Sequence, residues 1–367
     1  MKIFYDHYTF SYLRYGGISK YVCELLKNIP RENWYSSTLI SNNRHLKEVN
    51  LIKTYDFFPN SNFRGQGRIM AELNMPYTKY KLHTTKWDVF HATWFATHYL
   101  KDIKKKPLVV TIHDLIYDVF YKNEEVPHRE KIIKMGRLSA ERADKVIAVS
   151  EYTKQDMINV WGIDKNKIEV IHHGVDKNKI PVSTTRLIEQ PYIFFAGGAR
   201  ARSKNFEHLM AAFSIISSKY KDLRLVCSGT PFRENEIQEL NRLKIYDKTI
   251  QLYASEFQMA QLYHDAEMCV VPSYYEGFGF PALEAMVYDC PVVLSNSSCL
   301  PEIAGDAGVY FDPYNEEDLS DKITLLLEDK ILRERQKKLC AQRLDFFSWE
   351  KCAKNHLELY MSLVLIE

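Results

Sequence analysis

The chain is organised around one stretch: Pro272-Ser273-Tyr274-Tyr275-Glu276-Gly277-Phe278-Gly279-Phe280-Pro281-Ala282-Leu283-Glu284-Ala285-Met286. The apolar run just before it, residues 268–271, is typical of a buried strand. A glycine-containing loop follows. Pro281 then stands where a helix would begin, because its ring suits the first helical turn. The stretch therefore predicts a strand, a loop and a helix in succession.

Two carboxylates bracket this loop. Glu276 lies in the loop and Glu284 stands eight positions later, near the start of the predicted helix. The Phe278-Gly279 backbone and the helix start would offer N–H donors and a positive dipole end, which suit a diphosphate. Two acids beside such a site favour a ligand that is anionic at one end and rich in hydroxyls elsewhere. A sugar nucleotide fits that description.

Length and composition set the class of protein. A chain of 367 residues suits two domains, and 46% hydrophobic with 26% charged residues is ordinary for a soluble globular protein. No apolar run has the length of a membrane span. The first residues enter a strand-like run at once, which predicts that no secretory signal is present. The seven cysteines are scattered and odd in number, so we interpret them as reduced core thiols of a cytoplasmic protein.

Charge is distributed unevenly along the chain. Residues 1–190 carry 30 Lys and Arg against 21 Asp and Glu, whereas residues 191–367 carry 19 against 26. The basic half would favour an anionic surface, such as acidic lipid headgroups or a phosphate-bearing acceptor, or it is simply a solvated face. Residues 59–86 form a basic, partly amphipathic insertion with the same two readings: it docks an acceptor or a membrane, or it is a surface helix.

The first half alternates strands with helical patterns, which predicts a parallel α/β sheet. A loop with Gly16 and Gly17 precedes a helix, and paired glycines let the backbone come close to a ligand. His113 follows a strand directly, where parallel sheets bind ligands, so it is either a functional or a structural histidine. The predicted strands are residues 2–5, 37–41, 89–92, 108–112, 145–149 and 168–171.

A polar stretch, residues 174–191, predicts an interdomain linker, and a second α/β series follows it. Its first strand leads into a loop, residues 197–206, that holds glycines and then Arg200, Arg202 and Lys204. Cations before a helix suit a diphosphate, because they neutralise the charge of a leaving group. Further strands are predicted at 223–227, 249–252, 268–271, 291–294 and 308–311, and an amphipathic helix ends the chain.

Several motifs together resemble the retaining glycosyltransferases of family 4, whose α/β fold is the two-domain arrangement called GT-B. The acid–seven residues–acid signature from Glu276 to Glu284 carries the resemblance. The other matching motifs span the whole chain: Tyr15-Gly16-Gly17, His113-Asp114-Leu115, Gly198-x-Arg200 with Lys204-Asn205-Phe206, Pro291-Val292-Val293, Leu300-Pro301-Glu302 and Ser348-Trp349-Glu350.

The resemblance implies two Rossmann-like domains that face each other across a cleft. Residues 1–180 would form the acceptor-binding domain and residues 190–345 the nucleotide-sugar-binding domain. Residues 346–367 would form a helix that packs back toward the N-terminal domain.

The resemblance also implies a role for each matching residue. Glu276 would bind the hydroxyls of the donor sugar and Glu284 its ribose. Arg200 and Lys204 would hold the diphosphate as it leaves, and His113 would contact the transferred sugar across the cleft. Such enzymes need no metal or other cofactor, because cationic side chains replace it. The loop residues of the predicted donor site are Gly16, Gly17, Gly277, Phe278 and Gly279.

Two positions matter because they depart from the pattern or duplicate it. Asp289 stands where the family usually has glycine, which brings only a local turn into question. Arg202 is a second candidate for the diphosphate role given to Arg200, so that assignment stays open between the two arginines.

The predicted reaction moves mannose from GDP-mannose to a hydroxyl of a glycan or lipid-linked saccharide in surface polysaccharide synthesis, such as that of lipopolysaccharide, with retention at the anomeric carbon. The segments 5–7 and 111–115 are similar to those of bacterial mannosyltransferases of this kind. A UDP-hexose donor is the alternative within the family. A nucleotide-sugar epimerase, a phosphorylase and a non-catalytic partner protein of the same fold are alternatives from other classes.

The predicted partners are the nucleotide-sugar donor and the glycan or lipid-linked acceptor, and no nucleic acid. The basic first half adds the hypothesis of peripheral binding at the inner face of the membrane.

Overall fold

The computed structural model describes residues 1–103, 105–198 and 200–365 of the chain. The chain divides into two compact units. The first unit comprises Met1–Gly174 together with the terminal segment that begins at Trp349, and the second unit comprises Val175–Ser348. The first unit therefore ends at Gly174 rather than at the predicted residue 180, and the tail begins at Trp349 rather than at residue 346.

The predicted linker explains the shift of the first boundary, because it is packed on the second unit. The backbone N–H of Ile180 donates to the hydroxyl of Tyr288 at 3.2 Å. The backbone N–H of Ser183 donates to Oε1 of Gln261 at 2.6 Å. Hydrogen bonds of this kind satisfy backbone groups that a free linker would leave to water, so residues from Val175 onward belong to the second unit.

Within the described residues, the first unit holds a six-stranded sheet in the order β2-β1-β3-β4-β5-β6. Every neighbouring pair is parallel. All five residues of β4 are buried, as expected of a parallel strand covered on both faces. The strands are β1 (Ile3–Tyr5), β2 (Trp34–Ser36), β3 (Val89–Ala92), β4 (Leu108–Ile112), β5 (Lys145–Ala148) and β6 (Ile168–Val170).

The prediction of a strand over residues 37–41 was wrong. The strand β2 ends at Ser36, and its residues pair with Ile3–Tyr5. The side chain of Trp34 is buried and its indole N–H donates to the carbonyl of Ile29. Because this large ring is buried, the strand begins at Trp34, earlier in the chain than the predicted residues 37–41. Of the predicted residues, Ile40 forms an isolated bridge with Tyr55.

Helices cover the first sheet and complete the alternation that the sequence predicts. Those of the main segment are α1 (Tyr8–Tyr12), α2 (Gly17–Lys27), α3 (Arg44–Val49), α4 (Gln66–Thr84), α5 (Leu100–Ile103), α6 (Ile116–Val119), α7 (Arg129–Arg142) and α8 (Glu151–Asp156).

The second unit repeats the same plan. Its sheet, in the part of the chain described, has six parallel strands in the order β12-β11-β10-β7-β8-β9. The strands are β7 (Tyr192–Gly198), β8 (Arg224–Gly229), β9 (Thr249–Leu252), β10 (Met268–Val271), β11 (Val292–Ser295) and β12 (Gly308–Phe311). The helices are α9 (Phe206–Lys219), α10 (Glu234–Arg242), α11 (Glu256–Asp265), α12 (Phe280–Val287), α13 (Leu300–Ala304), α14 (Glu316–Glu328) and α15 (Lys330–Arg343).

The terminal helix, α16 (Trp349–Val364), belongs to the first unit, as predicted. A polar network fixes it to the sheet. The hydroxyl of Tyr360 contacts the hydroxyl of Tyr5 at 3.1 Å and Nδ1 of His91 at 2.5 Å. Nε2 of His356 bonds to the hydroxyl of Tyr21 at 2.8 Å. These groups are buried and satisfy one another, which specifies how the helix docks.

Candidate functional site

Lys204 and Glu276 meet at one edge of the second sheet. Lys204 follows β7 and Glu276 follows β10, and these two strands are parallel neighbours. The carboxyl ends of parallel strands lie at the same edge, where such sheets bind ligands. Nζ of Lys204 lies 2.6 Å from Oε1 of Glu276. The side chains are 30% and 11% exposed, so the pair is accessible but partly shielded from water.

The loop around Glu276 is held by serines that the sequence did not single out. Oγ of Ser273 donates to Oε1 of Glu276 at 2.7 Å, and the backbone N–H of Glu276 donates to Oγ of Ser298 at 3.0 Å. Ser273 stands only three positions before Glu276 in the sequence, and this closeness was a weak indication that the two side chains would meet. Ser298 comes from the loop after β11 and only the fold brings it close.

The cationic loop is tied to the Glu276 loop by backbone contacts. A short turn spans Arg202–Lys204, and Asn205 after it adopts a left-handed conformation with φ of 55°. The backbone N–H of Tyr274 donates to the carbonyl of Ser203 at 2.8 Å, and the amide of Asn205 donates to the carbonyl of Pro272 at 3.0 Å. These bonds explain why Lys204 reaches Glu276. Ala199 of the same loop lies outside the described residues.

The start of α12 requires glycine. Gly279 precedes the helix with φ of 84°, a conformation that side chains other than glycine rarely adopt. A Cβ atom placed there would lie 2.7 Å from Cδ2 of Leu300, which is too close for any real contact. Pro281 occupies the first turn, as predicted. Gly277 and Phe278 complete the loop, and the positive end of the helix dipole lies beside it.

Glu284 has different surroundings from Glu276. It lies on α12, half-buried, and its Oε2 accepts a hydrogen bond of 3.2 Å from the hydroxyl of Tyr263 on α11. Burial, and then the Glu284 charge, raise the pKa of Tyr263 well above its usual value, so that hydroxyl stays a donor. The two acids of the signature therefore have separate partners.

The geometry argues against the predicted diphosphate role of Arg200. Its side chain is 1% exposed, and its Nε lies 3.0 Å from Oε1 of Glu236. Its guanidinium also donates to the carbonyls of Thr230 and Pro231 and stacks on the ring of Phe232. A buried charge is costly unless it is paired, and Glu236 on α10 supplies the partner. The loop cations nearer to solvent are Arg202, which is exposed, and Lys204.

In the first unit, Gly16 and Gly17 form the start of α2. Gly16 has φ of 150° and ψ of 167°, a region that is essentially restricted to glycine. Oγ of Ser19 donates to the carbonyl of Gly16 at 3.0 Å and fixes the turn. The glycine pair therefore opens an 11-residue helix, as the sequence predicted.

His113 follows β4 at the carboxyl edge of the first sheet. Its ring lies 5.2 Å from the ring of Tyr21 and 5.5 Å from that of His173. Burial lowers the pKa of His113 to about 4, so the imidazole is neutral at neutral pH. A neutral ring can donate one hydrogen bond and accept another.

The structure also explains how the turn at Asp289 forms where the family usually has glycine. Asp289 adopts a left-handed conformation with φ of 57° just after α12, where glycine would be favoured. Its carboxylate forms an ion pair with Lys179. Aspartate tolerates this conformation better than most residues, so the turn is kept without glycine.

Comparison with known proteins identifies the class of protein. The family model described as Glycosyltransferase Family 4 matches residues 15–179, and the model described as Glycosyl transferases group 1 matches residues 176–342. The two matches follow one another and meet close to the division between the two units. The chain belongs to the family 4 glycosyltransferases with the GT-B fold, which confirms the predicted family, fold and enzyme class.

Two relatives are bacterial mannosyltransferases. The O-antigen chain mannosyltransferase B of Escherichia coli is 28% identical over 271 residues, with 70% of each chain covered. The O-antigen chain mannosyltransferase RfbU of Salmonella typhimurium is 27% identical over 250 residues, which cover 65% of this chain and 69% of that one. Among solved structures, the sucrose-phosphate synthase of Thermosynechococcus elongatus matches with a TM-score of 0.79 at 19% identity and full coverage of both chains, which shows the shared fold.

The helices of the described residues include none that is both long and apolar enough to cross a bilayer. The same residues contain no cluster of three or more His, Cys, Asp or Glu side chains suited to a metal ion.

Proposed function

We propose that the chain transfers mannose from GDP-mannose to a hydroxyl of a glycan or lipid-linked saccharide in surface polysaccharide synthesis, with retention of the anomeric configuration. The observation that carries this proposal is the Lys204–Glu276 pair at the carboxyl edge of the second sheet. The two O-antigen mannosyltransferases among the relatives support mannose as the transferred sugar.

The pair holds the two kinds of group that a sugar nucleotide needs. The ammonium of Lys204 suits phosphate oxygens, and the carboxylate of Glu276 accepts hydrogen bonds from sugar hydroxyls. In the absence of a donor, each group satisfies the other at 2.6 Å. A bound donor would replace this ion pair by a contact of Lys204 with the diphosphate and of Glu276 with the sugar. Glu284, on the next helix, would hold the ribose.

The proposed reaction breaks the bond between the anomeric carbon and the phosphate oxygen. The electron pair goes to the diphosphate, whose charge Lys204 stabilises. We assign the second cationic role to Arg202 rather than Arg200, because Arg200 is committed to Glu236. The acceptor hydroxyl bonds to the anomeric carbon on the face that the phosphate leaves, and its proton passes to the departing phosphate oxygen. Neither a metal ion nor a carboxylate base takes part in this scheme.

His113 is proposed to contact the transferred sugar. Its ring is neutral because burial lowers its pKa to about 4, so it would donate a hydrogen bond to a sugar hydroxyl rather than contribute charge. Gly16 and Gly17 would bring the start of α2 close to the donor.

A panel of sugar nucleotides tests the proposal. The purified chain is incubated with GDP-mannose, UDP-glucose, UDP-N-acetylglucosamine or ADP-glucose and a glycolipid extract as acceptor, and the released nucleotide diphosphate is measured. We expect GDP release from GDP-mannose and an α-linked product by NMR. UDP release alone would support the UDP-hexose alternative. A changed sugar nucleotide without acceptor would indicate an epimerase, and turnover of none would favour a non-catalytic protein.

We also propose that the first unit binds the anionic inner face of the membrane through α4 and the loop before it. Exposed apolar side chains stand there among Arg64 and Arg68, a combination that suits a lipid interface. The exposed apolar residues are Phe58, Phe63, Ile69 and Leu73.

Flotation with vesicles tests this membrane proposal. We expect the chain to float with phosphatidylglycerol vesicles at low salt and not with phosphatidylcholine vesicles, because cations attract the anionic surface. The variant R64E/R68E should lose flotation, whereas the matched variant R137E/R142E on α7 should keep it. An absence of flotation with anionic vesicles at low salt would contradict the proposal.

A further inference from the structure

A short helix of the first unit, α3, is bonded to the chain on both sides of residues 15–17, which we call the glycine loop. Before the loop, the backbone N–H of Arg44 donates to the carbonyl of Arg14 at 2.9 Å. After the loop, Nδ1 of His45 lies 2.9 Å from Oγ of Ser19, in the first turn of α2. The start of α3 therefore holds the chain where the glycine loop begins and where it ends.

The hydrogen bonds between these groups have a defined direction. Oγ of Ser19 donates its one proton to the carbonyl of Gly16 at 3.0 Å, so toward the imidazole it can only accept. Nδ1 of His45 therefore carries a proton. Burial, and after it the charge of Lys20, lower the pKa of His45 to about 4, so the ring is neutral at neutral pH and its Nε2 has no proton. The chain of hydrogen bonds runs from His45 through Ser19 to the carbonyl of Gly16.

Both side chains of this hydrogen-bond chain are shielded from water. Ser19 is fully buried and His45 is 9% exposed. The ring of Tyr15 lies 4.3 Å from that of His45 and is itself exposed, so it covers the imidazole. A hydrogen bond in such surroundings is electrostatically stronger than one in water, so the chain can fix the groups that it joins.

The carbonyl of Gly16 sets the direction of the N–H of Gly17. A trans peptide is planar, and its C=O and N–H point in opposite directions. The carbonyl accepts from Oγ of Ser19 and, at 3.0 Å, from the backbone N–H of Lys20, so it points into α2. The N–H of Gly17 therefore points out of the helix start, where the first N–H groups of a helix have no partner within it. Among the described residues, no atom lies within 4 Å of the position that a Cβ atom of Gly16 would take, so the space beside the loop is open.

We propose that His45 is a positioning residue for sugar transfer: through Ser19 it holds the Gly16–Gly17 peptide so that the N–H of Gly17 donates to an oxygen of the bound sugar nucleotide. This role rests on the proposed function, in which the start of α2 comes close to the donor. It adds to that function a residue that lies outside the motifs of the family and acts on the donor only through the glycine loop.

Two substitutions separate the hydrogen bond of His45 from its packing. His45→Asn keeps an N–H donor near the position of Nδ1 and removes the ring, whereas His45→Phe keeps a ring against Tyr15 and removes the donor. We expect kcat/KM for GDP-mannose to fall about five- to tenfold in His45→Phe, the effect of one lost hydrogen bond, and to stay near normal in His45→Asn. The opposite order would show that the ring acts by packing alone. His264→Asn, on α11, is the matched control.

Ser19→Ala breaks the same chain of hydrogen bonds and leaves the imidazole in place, so it tests the role even where a His45 variant fails to fold. It should lower kcat/KM for the donor at least as much as His45→Phe does and leave the KM for the acceptor unchanged. Addition of His45→Phe to Ser19→Ala should then have little further effect, because both act on one chain of contacts. Normal kinetics of Ser19→Ala would overturn the role of His45.

NMR of the imidazole distinguishes a failure of this role from a failure of the proposed function. In the unchanged protein, the nitrogen spectrum of His45 should show the proton on Nδ1, and a proton on Nε2 alone would overturn the hydrogen-bond chain whichever donor is used. If UDP-glucose is turned over instead of GDP-mannose, the proposed donor is wrong, and the same variants assayed with UDP-glucose still test His45. Turnover of no sugar nucleotide would contradict both proposals.

Discussion

At the scale of single residues, two cations four positions apart in one loop have different surroundings. Lys204 is paired with Glu276 at the sheet edge, whereas Arg200 is buried against Glu236. The two side chains differ in solvent access. Lys204 is 30% exposed, so a ligand could reach it, whereas Arg200 is 1% exposed and needs a permanent partner, because an unpaired buried charge is costly.

Substitution of the two cations should separate activity from stability. Lys204→Ala should lower kcat about 100- to 1,000-fold, as expected for one lost group that stabilises a leaving group, with an unchanged unfolding midpoint. Arg200→Ala should lower the free energy of unfolding by about 3 kcal/mol, because Glu236 stays buried and, among the described residues, keeps Arg233 as its one charged partner. Circular dichroism is the right probe of stability here. All five tryptophans lie in the first unit, so their fluorescence does not report on the second.

The opposite result would restore the original assignment. If Arg200→Ala folds normally and loses turnover while Lys204→Ala stays active, then Arg200 is the diphosphate ligand and the Glu236 pair opens when the donor binds.

The two acids of the signature should respond differently to substitution. Glu276→Ala should abolish transfer and leave the fold intact, because it removes the group proposed to position the sugar. Glu284→Gln should act mainly on the donor, raising its KM about tenfold with a smaller effect on kcat, as expected for a lost hydrogen bond to a charged group. Steady-state kinetics of GDP release measures both, with Asp321→Ala, an exposed acid of α14, as the control. Near-normal turnover of Glu276→Ala would contradict the assignment.

At the scale of elements, the loop between β10 and α12 depends on one backbone conformation. Gly279 has φ of 84° and faces Leu300 so closely that a Cβ atom would lie 2.7 Å from its Cδ2. A side chain at this position would strain the backbone and displace the buried Leu300 side chain beside the helix start.

Gly279→Ala should therefore cost both stability and donor binding. We expect a loss of about 1–2 kcal/mol from the left-handed strain, plus the cost of displacing Leu300, and a raised donor KM. Gly162→Ala is the matched control, since Gly162 has φ of 70° with nothing within 4 Å of the added Cβ. It should lose about 1 kcal/mol and keep its activity. Equal kinetics in the two variants would show that the start of α12 does not position the donor.

At the scale of the whole molecule, the first unit buries the imidazoles of His91, His173 and His356, and His113 lies half-buried near them. Burial lowers the pKa of His113 and His356 to about 4, and it lowers the pKa of His91 and His173 well below the usual value. The unfolded chain would take up protons on these rings near pH 6.5, while the folded unit would not. Their contribution to stability is therefore complete above pH 6.5 and is lost as the pH falls toward 4.

The first unit should accordingly lose stability on acidification from pH 6.5 to 4.5, because the unfolded chain takes up protons on these rings while the folded unit keeps them neutral. Asp6 opposes this trend, because burial raises its pKa to about 6 and its protonation favours the folded state. Urea unfolding followed by tryptophan fluorescence measures the first unit selectively. His356→Gln should flatten the pH dependence, and a midpoint that does not change between pH 6.5 and 4.5 would contradict the prediction.

Much of this architecture follows from local patterns. Apolar runs such as residues 108–112 and 268–271 match β4 and β10, because strands buried on both faces must be apolar throughout. The strand at Trp34 was missed, since a single buried indole, rather than a run, marks it. The division between the two units falls at the start of the predicted linker, and residues of that stretch bond to side chains far along the chain, such as Gln261, which no local pattern indicates.

The sequence by itself determined the two α/β series and the family, and it singled out Glu276, Glu284 and Lys204 as candidates, because their identities and spacing are local properties of the chain. Only the tertiary structure decided which cation faces solvent and which rings stack. Arg200 finds Glu236 36 positions away, and Tyr12 meets Trp94 across two strands. The physical reason is that the surroundings of a charge or a ring depend on its neighbours in space. Folding brings these neighbours together from segments far apart in the sequence, and no local sequence pattern predicts which segments will meet.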